Sequence, residues 1–255
     1  MNLKDKYPVS ITMDVDWAPD FALTYACNLL KKNGIPATIF ATHSSPALEE
    51  IKKDKNFEIG IHPNFFTNSS HGNNFTEIMD YMMNVVPNAE CMRTHCLFQS
   101  SKMFFDIFEN YKSIKKDFST LVYHNCAVSP YNFIKRKEGA IMKIPYHWDD
   151  YASFSDMSND LELINLKIPK RATYQVFNFH PIHVFLNTCS IKIYNQVQKH
   201  NNRLMNMKKK NAEKFVDNEK FGSRKKLFKL INDINPERFV LASRLPKLLR
   251  SKTGE

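Results

Sequence analysis

From residue 9 to residue 16 apolar and polar positions alternate strictly. In an extended strand side chains two apart share a face, so Val9, Ile11, Met13 and Val15 fall on one side and Ser10, Thr12, Asp14 and Asp16 on the other. The spacing then changes to helical over 21–32, with Leu23, Ala26, Cys27 and Leu30 on one face and Asn33-Gly34 as the stop. A second apolar run, 35–41, predicts a strand, followed by a short helix over 46–53 and a third strand over 57–61 that ends at His62. A helix over about 75–86, a strand over 91–95 and a helix over 100–111 continue the alternation. Further strands are predicted at 120–124, 140–145 and 174–179, the last ending at His180. Helices are predicted at 190–200, 222–234 and 243–250, with an irregular Lys-rich connection over about 203–221. Strand–helix units of ~30 residues predict a parallel sheet with right-handed crossovers, open or closed into a barrel. Neither a repeat nor a linker interrupts the pattern, so one domain is expected over 1–255, with a core over about 8–190 and a helical extension beyond it.

The polar residues fall in one place along this pattern. Asp14 and Asp16, His62, Arg93 and His95, and His180 all lie at the carboxyl ends of predicted strands, where barrels and open parallel sheets build their sites. Two adjacent carboxylates repel unless a cation or proton lies between them. A metal ligand beside a general base is the chemistry that such a pair suggests.

Composition narrows the classes. A 43% hydrophobic share over 255 residues is enough for one sizeable core. No window approaches the ~20 apolar residues of a membrane span, and the first eight residues lack the apolar stretch of a signal peptide, so a cytoplasmic protein is expected. Five cysteines without a CxxC pair suit reduced thiols. The net charge of +10 is concentrated in the tail: residues 200–255 carry 15 Lys+Arg against 6 Asp+Glu. A basic tail suits an anionic membrane surface or a phosphorylated carrier, whereas no base-reading motif points to specific nucleic-acid binding.

Five short motifs, in order, resemble those of the polysaccharide deacetylase (NodB-homology) family of metal-dependent carbohydrate esterases. Thr12-Met13-Asp14-Val15-Asp16 is similar to the first, Gly60-Ile61-His62-Pro63-Asn64 with Ser69-Ser70-His71-Gly72 to the second, and Arg93-Thr94-His95 to the third. Pro145-Tyr146-His147-Trp148-Asp149-Asp150 resembles a rearranged fourth motif, and Val176-Phe177-Asn178-Phe179-His180 the fifth. The likeness implies a distorted (β/α) barrel of about seven strands. It also implies roles: Asp14 as catalytic base, Arg93 as the residue orienting it, His180 as general acid, and Asp16 and His62 as metal ligands. The family's second histidine follows the first by four positions, but His71 stands nine beyond His62. His71 is taken as the third ligand, with His95 as the alternative. Trp17 and Trp148 would offer apolar faces to a sugar ring or acetyl methyl, and Asp149 or Asp150 would line the site or hold His180. Asp-Trp-Ala-Pro-Asp (16–20) and Phe-His-Pro-Ile-His-Val (179–184) resemble a subgroup from O-antigen and capsule synthesis. The implied activity is removal of an N-acetyl group from an amino sugar or glycan precursor, with a divalent cation, zinc before cobalt, as cofactor. A deacylase for another N-acyl group, such as formyl on a lipid-carried sugar, and a non-catalytic carbohydrate-binding relative are the alternatives.

Overall fold

Val9–Asp14 (β1) is buried along its whole length because it lies inside a nine-stranded sheet, with neighbours on both edges. The computed structural model describes residues 7–122, 128–155, 174–199 and 204–253. After β1 come α1 (Asp20–Lys32), β2 (Ala37–Ala41), α2 (Pro46–Ile51), β3 (Phe57–Ile61), α3 (Phe75–Val85), β4 (Cys91–Met92) and α4 (Ser101–Asn110). The chain continues through β5 (Lys116–Asp117), a hairpin of β6 (Tyr131–Arg136) and β7 (Gly139–Lys143), β8 (Trp148–Asp149) and α5 (Ala152–Ser155). Next, β9 (Gln175–Phe179) returns to pair with β1. The sheet order is β6-β7-β5-β4-β3-β2-β1-β9-β8, and every neighbouring pair except β6–β7 is parallel. Ser45, Asn74 and Ser100 cap α2, α3 and α4 by accepting from the backbone N–H three residues on, each cap being worth ~1 kcal/mol.

Strand alternation divides the core in two. Val9, Ile11 and Met13 pack with the helices outside the curled sheet. Inside it, Phe40, Phe118, Ile144, Tyr146, Tyr174 and Val176 form a second apolar cluster that also takes in Ala242 and Leu245. The sheet is thus a distorted (β/α) barrel, as the resemblance implied. Among the described residues it has nine strands, the 131–143 hairpin and the two-residue β8 adding to the seven or so expected. The expected strand over 91–95 stops at Met92, where the chain turns into a 3-10 turn at His95–Leu97. The expected strand over 120–124 is reduced to one bridge between Leu121 and Tyr146, and its last two residues lie outside the described residues.

Beyond β9 the chain forms α6 (Pro181–Leu186), α7 (Ile191–Lys199), α8 (Lys209–Ala212), α9 (Ser223–Asp233) and α10 (Leu245–Thr253). The segment before α10 closes the mouth at the starts of the strands. Val240 N donates to Val9 O (2.9 Å), Ala242 N to Thr38 Oγ1 (3.0 Å), and Ser243 N to Glu58 Oε2 (3.3 Å). Asn187, left-handed at φ 54, ties α6 to this extension through Lys220 O (3.0 Å) and Lys225 N (3.1 Å). Gly222 fits against it so closely that a Cβ there would meet Asn187 O at 1.9 Å. Within the tail, Lys209–Glu213, Lys220–Asp217 and Lys229–Asp233 form surface ion pairs. Among the described residues no helix is long and apolar enough to cross a membrane.

Candidate active site

β4, β3, β2, β1 and β9 lie in that order in the sheet, and residues just beyond their ends line one cavity of about 850 Å³. Asp16 does not continue the strand face of Asp14. It and Trp17 adopt left-handed backbone (φ 45 and 54), a conformation that costs ~1–2 kcal/mol per non-glycine residue. Trp17 N–H to Thr42 Oγ1 (3.1 Å) and Ala18 N–H to Val15 O (2.8 Å) hold the turn. The turn tips the Asp16 carboxylate over the strand ends.

There, Asp16 Oδ1 lies 3.0 Å from His62 Nε2 and 3.0 Å from His95 Nδ1. Because a carbonyl only accepts, His62 Nδ1 must donate to Arg93 O (2.7 Å), and a neutral ring then aims the Nε2 lone pair at a carboxylate. Either protons on the imidazoles or a cation relieves that repulsion. Burial opposes charge on Asp16, yet hydrogen bonds with His62 and His95 hold its carboxyl well below the usual carboxylate range. Burial likewise opposes charge on His95, but Asp16 pushes it up to about 10. The arrangement of the three side chains suits a positive charge held among them. Metal–donor bonds of ~2.0–2.1 Å place neighbouring donors ~2.9–3.4 Å apart, and the two 3.0 Å separations fit a single ion.

His71, expected as the third donor, is not in this trio. Its Nδ1 accepts from Asn64 N (3.1 Å), and its ring lies against Tyr81 (5.0 Å) and Trp17 (5.3 Å). The alternative, His95, lies beside Asp16 and His62 because β3 and β4 are neighbours, Ile61 pairing with Met92. His95 N donates to Pro63 O (2.9 Å), which brings it alongside His62.

Asp14 sits deeper, with Oδ1 accepting from Arg93 Nη1 (2.9 Å) and Oδ2 from Asn178 Nδ2 (2.9 Å). Asn178 Nδ2 also reaches Asp149 Oδ2 (2.8 Å), while its Oδ1 accepts from Thr12 Oγ1 (2.9 Å) and Arg93 Nη1. Arg93 is fully buried, lies over Phe40 (4.6 Å) and Tyr146 (4.2 Å), and donates Nε–H to Phe118 O (3.1 Å). A buried guanidinium is tolerated only with such pairing and hydrogen bonding. Asn178 was not picked out from the sequence, although a lone amide within an apolar strand, two positions before His180, is a readable signal.

His180 Nδ1 pairs with Asp150 Oδ1 (2.6 Å), its backbone N–H donates to Asp150 Oδ2 (3.1 Å), and its Nε2 is 3.5 Å from Asp16 Oδ2. Burial opposes protonation of His180, but the Asp150 charge and hydrogen bond hold it well above the usual histidine range. Of the two acids left open, Asp150 holds His180 and is fully buried, so it does not line the cavity. Asp149 does, and burial raises its carboxyl. Trp148, expected at the substrate, is buried against Phe179 (4.9 Å) instead. Alternation along β8 sends Trp148 outward and Asp149 inward. Trp17 lines the cavity, its ring edge-on to His95 (5.2 Å) and its Nε1 donating to Ser70 Oγ (3.2 Å). His43, given no role from the sequence, and His183, read from it as structural, also line it, as do Tyr151, Tyr194, Leu204 and Met205.

A family model described as WbmS-like polysaccharide deacetylase matches residues 11–198. Among solved structures, a Bordetella bronchiseptica protein described as a polysaccharide deacetylase involved in O-antigen biosynthesis is 28% identical. That alignment has a TM-score of 0.74 and covers 89% of this chain and 90% of that one. A peptidoglycan N-acetylglucosamine deacetylase aligns at 12% identity over 93% of this chain and 87% of its own, with a TM-score of 0.49. No curated protein matches.

Proposed function

The chain belongs to the WbmS-like polysaccharide deacetylases, and on that premise we propose that it hydrolyses the N-acetyl group of an amino sugar in a bacterial surface glycan or its precursor. The O-antigen role given to the Bordetella relative supports the surface-glycan part of this reading. What carries the chemical part is one juxtaposition: Asp14, backed by Arg93, and His180, backed by Asp150, line the same cavity as the Asp16–His62–His95 trio.

Asp16, His62 and His95 would hold a divalent cation, zinc first by its preference for nitrogen and oxygen donors. When bound, such an ion polarises the amide carbonyl and lowers the pKa of water. Asp14 takes the proton of the attacking water. Arg93 and Asn178 donate to its two oxygens from behind, which fixes its direction. His180, protonated through Asp150, passes its Nε2 proton to the departing amine; transfers of this kind contribute ~10²–10⁴-fold. Trp17 gives an apolar wall beside the trio for the acetyl methyl or a sugar face.

The test is acetate release from N-acetylhexosamine oligosaccharides by the purified chain, paired with metal analysis. Asp14→Asn is expected to retain about one divalent ion and lose turnover by ~10²–10⁴-fold, while His62→Ala loses the ion. Wild-type protein that holds metal but releases no acetate from any such glycan would refute the hydrolytic reading and leave a binding protein.

A further inference from the structure

We propose that the buried Lys143–Asp117–Ser119 network is the scaffold that positions His95, and that it thereby sets the affinity of the site for its divalent cation; this rests on the metal reading above. His95 needs such support more than its partners do. His62 directly follows β3 and is locked by its own Nδ1 bond to Arg93 O. His95 stands three residues past the end of β4, and the next two residues, Cys96 and Leu97, are both left-handed (φ 51 and 56), a backbone that neither favours. Apart from the His95 N–H bond to Pro63 O, the loop must be held from outside.

Both ends of the loop attach to one buried ion pair. Lys143 Nζ and Asp117 Oδ2 are 2.7 Å apart, with side chains 5% and 0% exposed. Pairs buried this deeply seldom add net stability, so their place in the fold calls for another reason. Asp117 Oδ1 can only accept, and it takes the hydroxyl hydrogen of Ser119 (2.6 Å). That leaves the Ser119 oxygen to accept from Thr94 N–H (2.8 Å), immediately before His95. At the far end, Gln99 Oε1 accepts from Lys143 Nζ, and Gln99 Nε2 donates to Ser119 O (2.6 Å). Within the loop, Thr94 Oγ1 donates to Phe98 O (2.7 Å) and Leu97 N to Thr94 O (3.0 Å). Lys143, Asp117 and Ser119 therefore act through His95 as positioning residues. None of the three lines the cavity.

Zn²⁺ affinity of the full chain, measured by competition with a fluorescent chelator, tests this alongside thermal melting. Ser119→Ala and Gln99→Leu are expected to weaken Zn²⁺ binding by about 10–100-fold, the usual effect of losing a supporting contact behind a ligand. Ser119→Thr, which keeps the hydroxyl, should bind close to wild type. Wild-type affinity in both Ser119→Ala and Gln99→Leu, even with a lowered melting temperature, would make the network merely structural and overturn the inference while His62→Ala still abolished binding. If His62→Ala bound Zn²⁺ as well as wild type, the metal reading itself would fall, and this inference with it. Should Ser119→Ala not fold, Gln99→Leu decides, because it removes contacts at the exposed end of the network only.

Discussion

Replacing Asp150 by asparagine removes one charge and almost no volume from behind His180. The carboxylate accepts twice, from the ring Nδ1 (2.6 Å) and from the backbone N–H (3.1 Å). An amide has one oxygen, so one of those two donors must then face an NH₂ group. The electrostatic loss is larger. Unit charges ~4 Å apart attract by ~4 kcal/mol at an effective dielectric of ~20, which is about a thousandfold in the protonation equilibrium of the imidazole. Burial, which works against the imidazolium, then goes unopposed except by the more distant Asp149 and Asp16. The raised histidine is protonated at neutral pH in the wild type, so activity that depends on it should persist until pH rises through that elevated value. In Asp150→Asn the alkaline limb of kcat should move toward lower pH by at least ~1 pH unit, and kcat at neutral pH should fall by ~10²-fold or more. Steady-state acetate release across pH 5–10 measures both. A variant with kcat within threefold of wild type and an unmoved alkaline limb would refute the assignment of His180 as the acid.

Two further outcomes follow from the same geometry. His95→Ala should lose the divalent ion, whereas His71→Ala should retain it and lose mainly stability, because His71 accepts from Asn64 N and packs on Tyr81 and Trp17, outside the trio; metal analysis of the two purified variants decides. His147 is pushed down to about 4 by burial, and its Nδ1 accepts from Val176 N (3.2 Å). The unfolded chain therefore takes up this proton before the folded one does. The associated stability is complete above ~6.5 and falls as pH drops toward 4, by up to ~3 kcal/mol. Thermal melts from pH 7 to 4 should show this slope, and His147→Asn should flatten it; an unchanged slope would remove His147 from the account.

Local pattern was enough to read most of the first half of the chain. The 9–16 alternation separates a face packed under the helices from a buried polar face, the 21–32 spacing sets an apolar helix face, and the folded chain keeps both through Asp14 and Lys32. The second half was less legible for stated reasons. β6 exposes five of its six residues and shows no apolar face to detect. β8 is two residues long, too short for any period, and so the orientation of Trp148 was not readable.

By itself, then, the amino-acid order determined the strand and helix succession and the set of polar residues stationed at strand ends, because burial and backbone geometry act over a few residues at a time. Which of those residues meet was decided only by the tertiary arrangement. Strand adjacency put His95 rather than His71 beside His62, parallel register put Asn178 opposite Thr12, and the left-handed turn at Asp16 carried its carboxylate away from the face of Asp14. The first two are relations between segments tens of residues apart, and the turn at Asp16 is held from Thr42, 25 residues on; local periodicity carries no information about such partners.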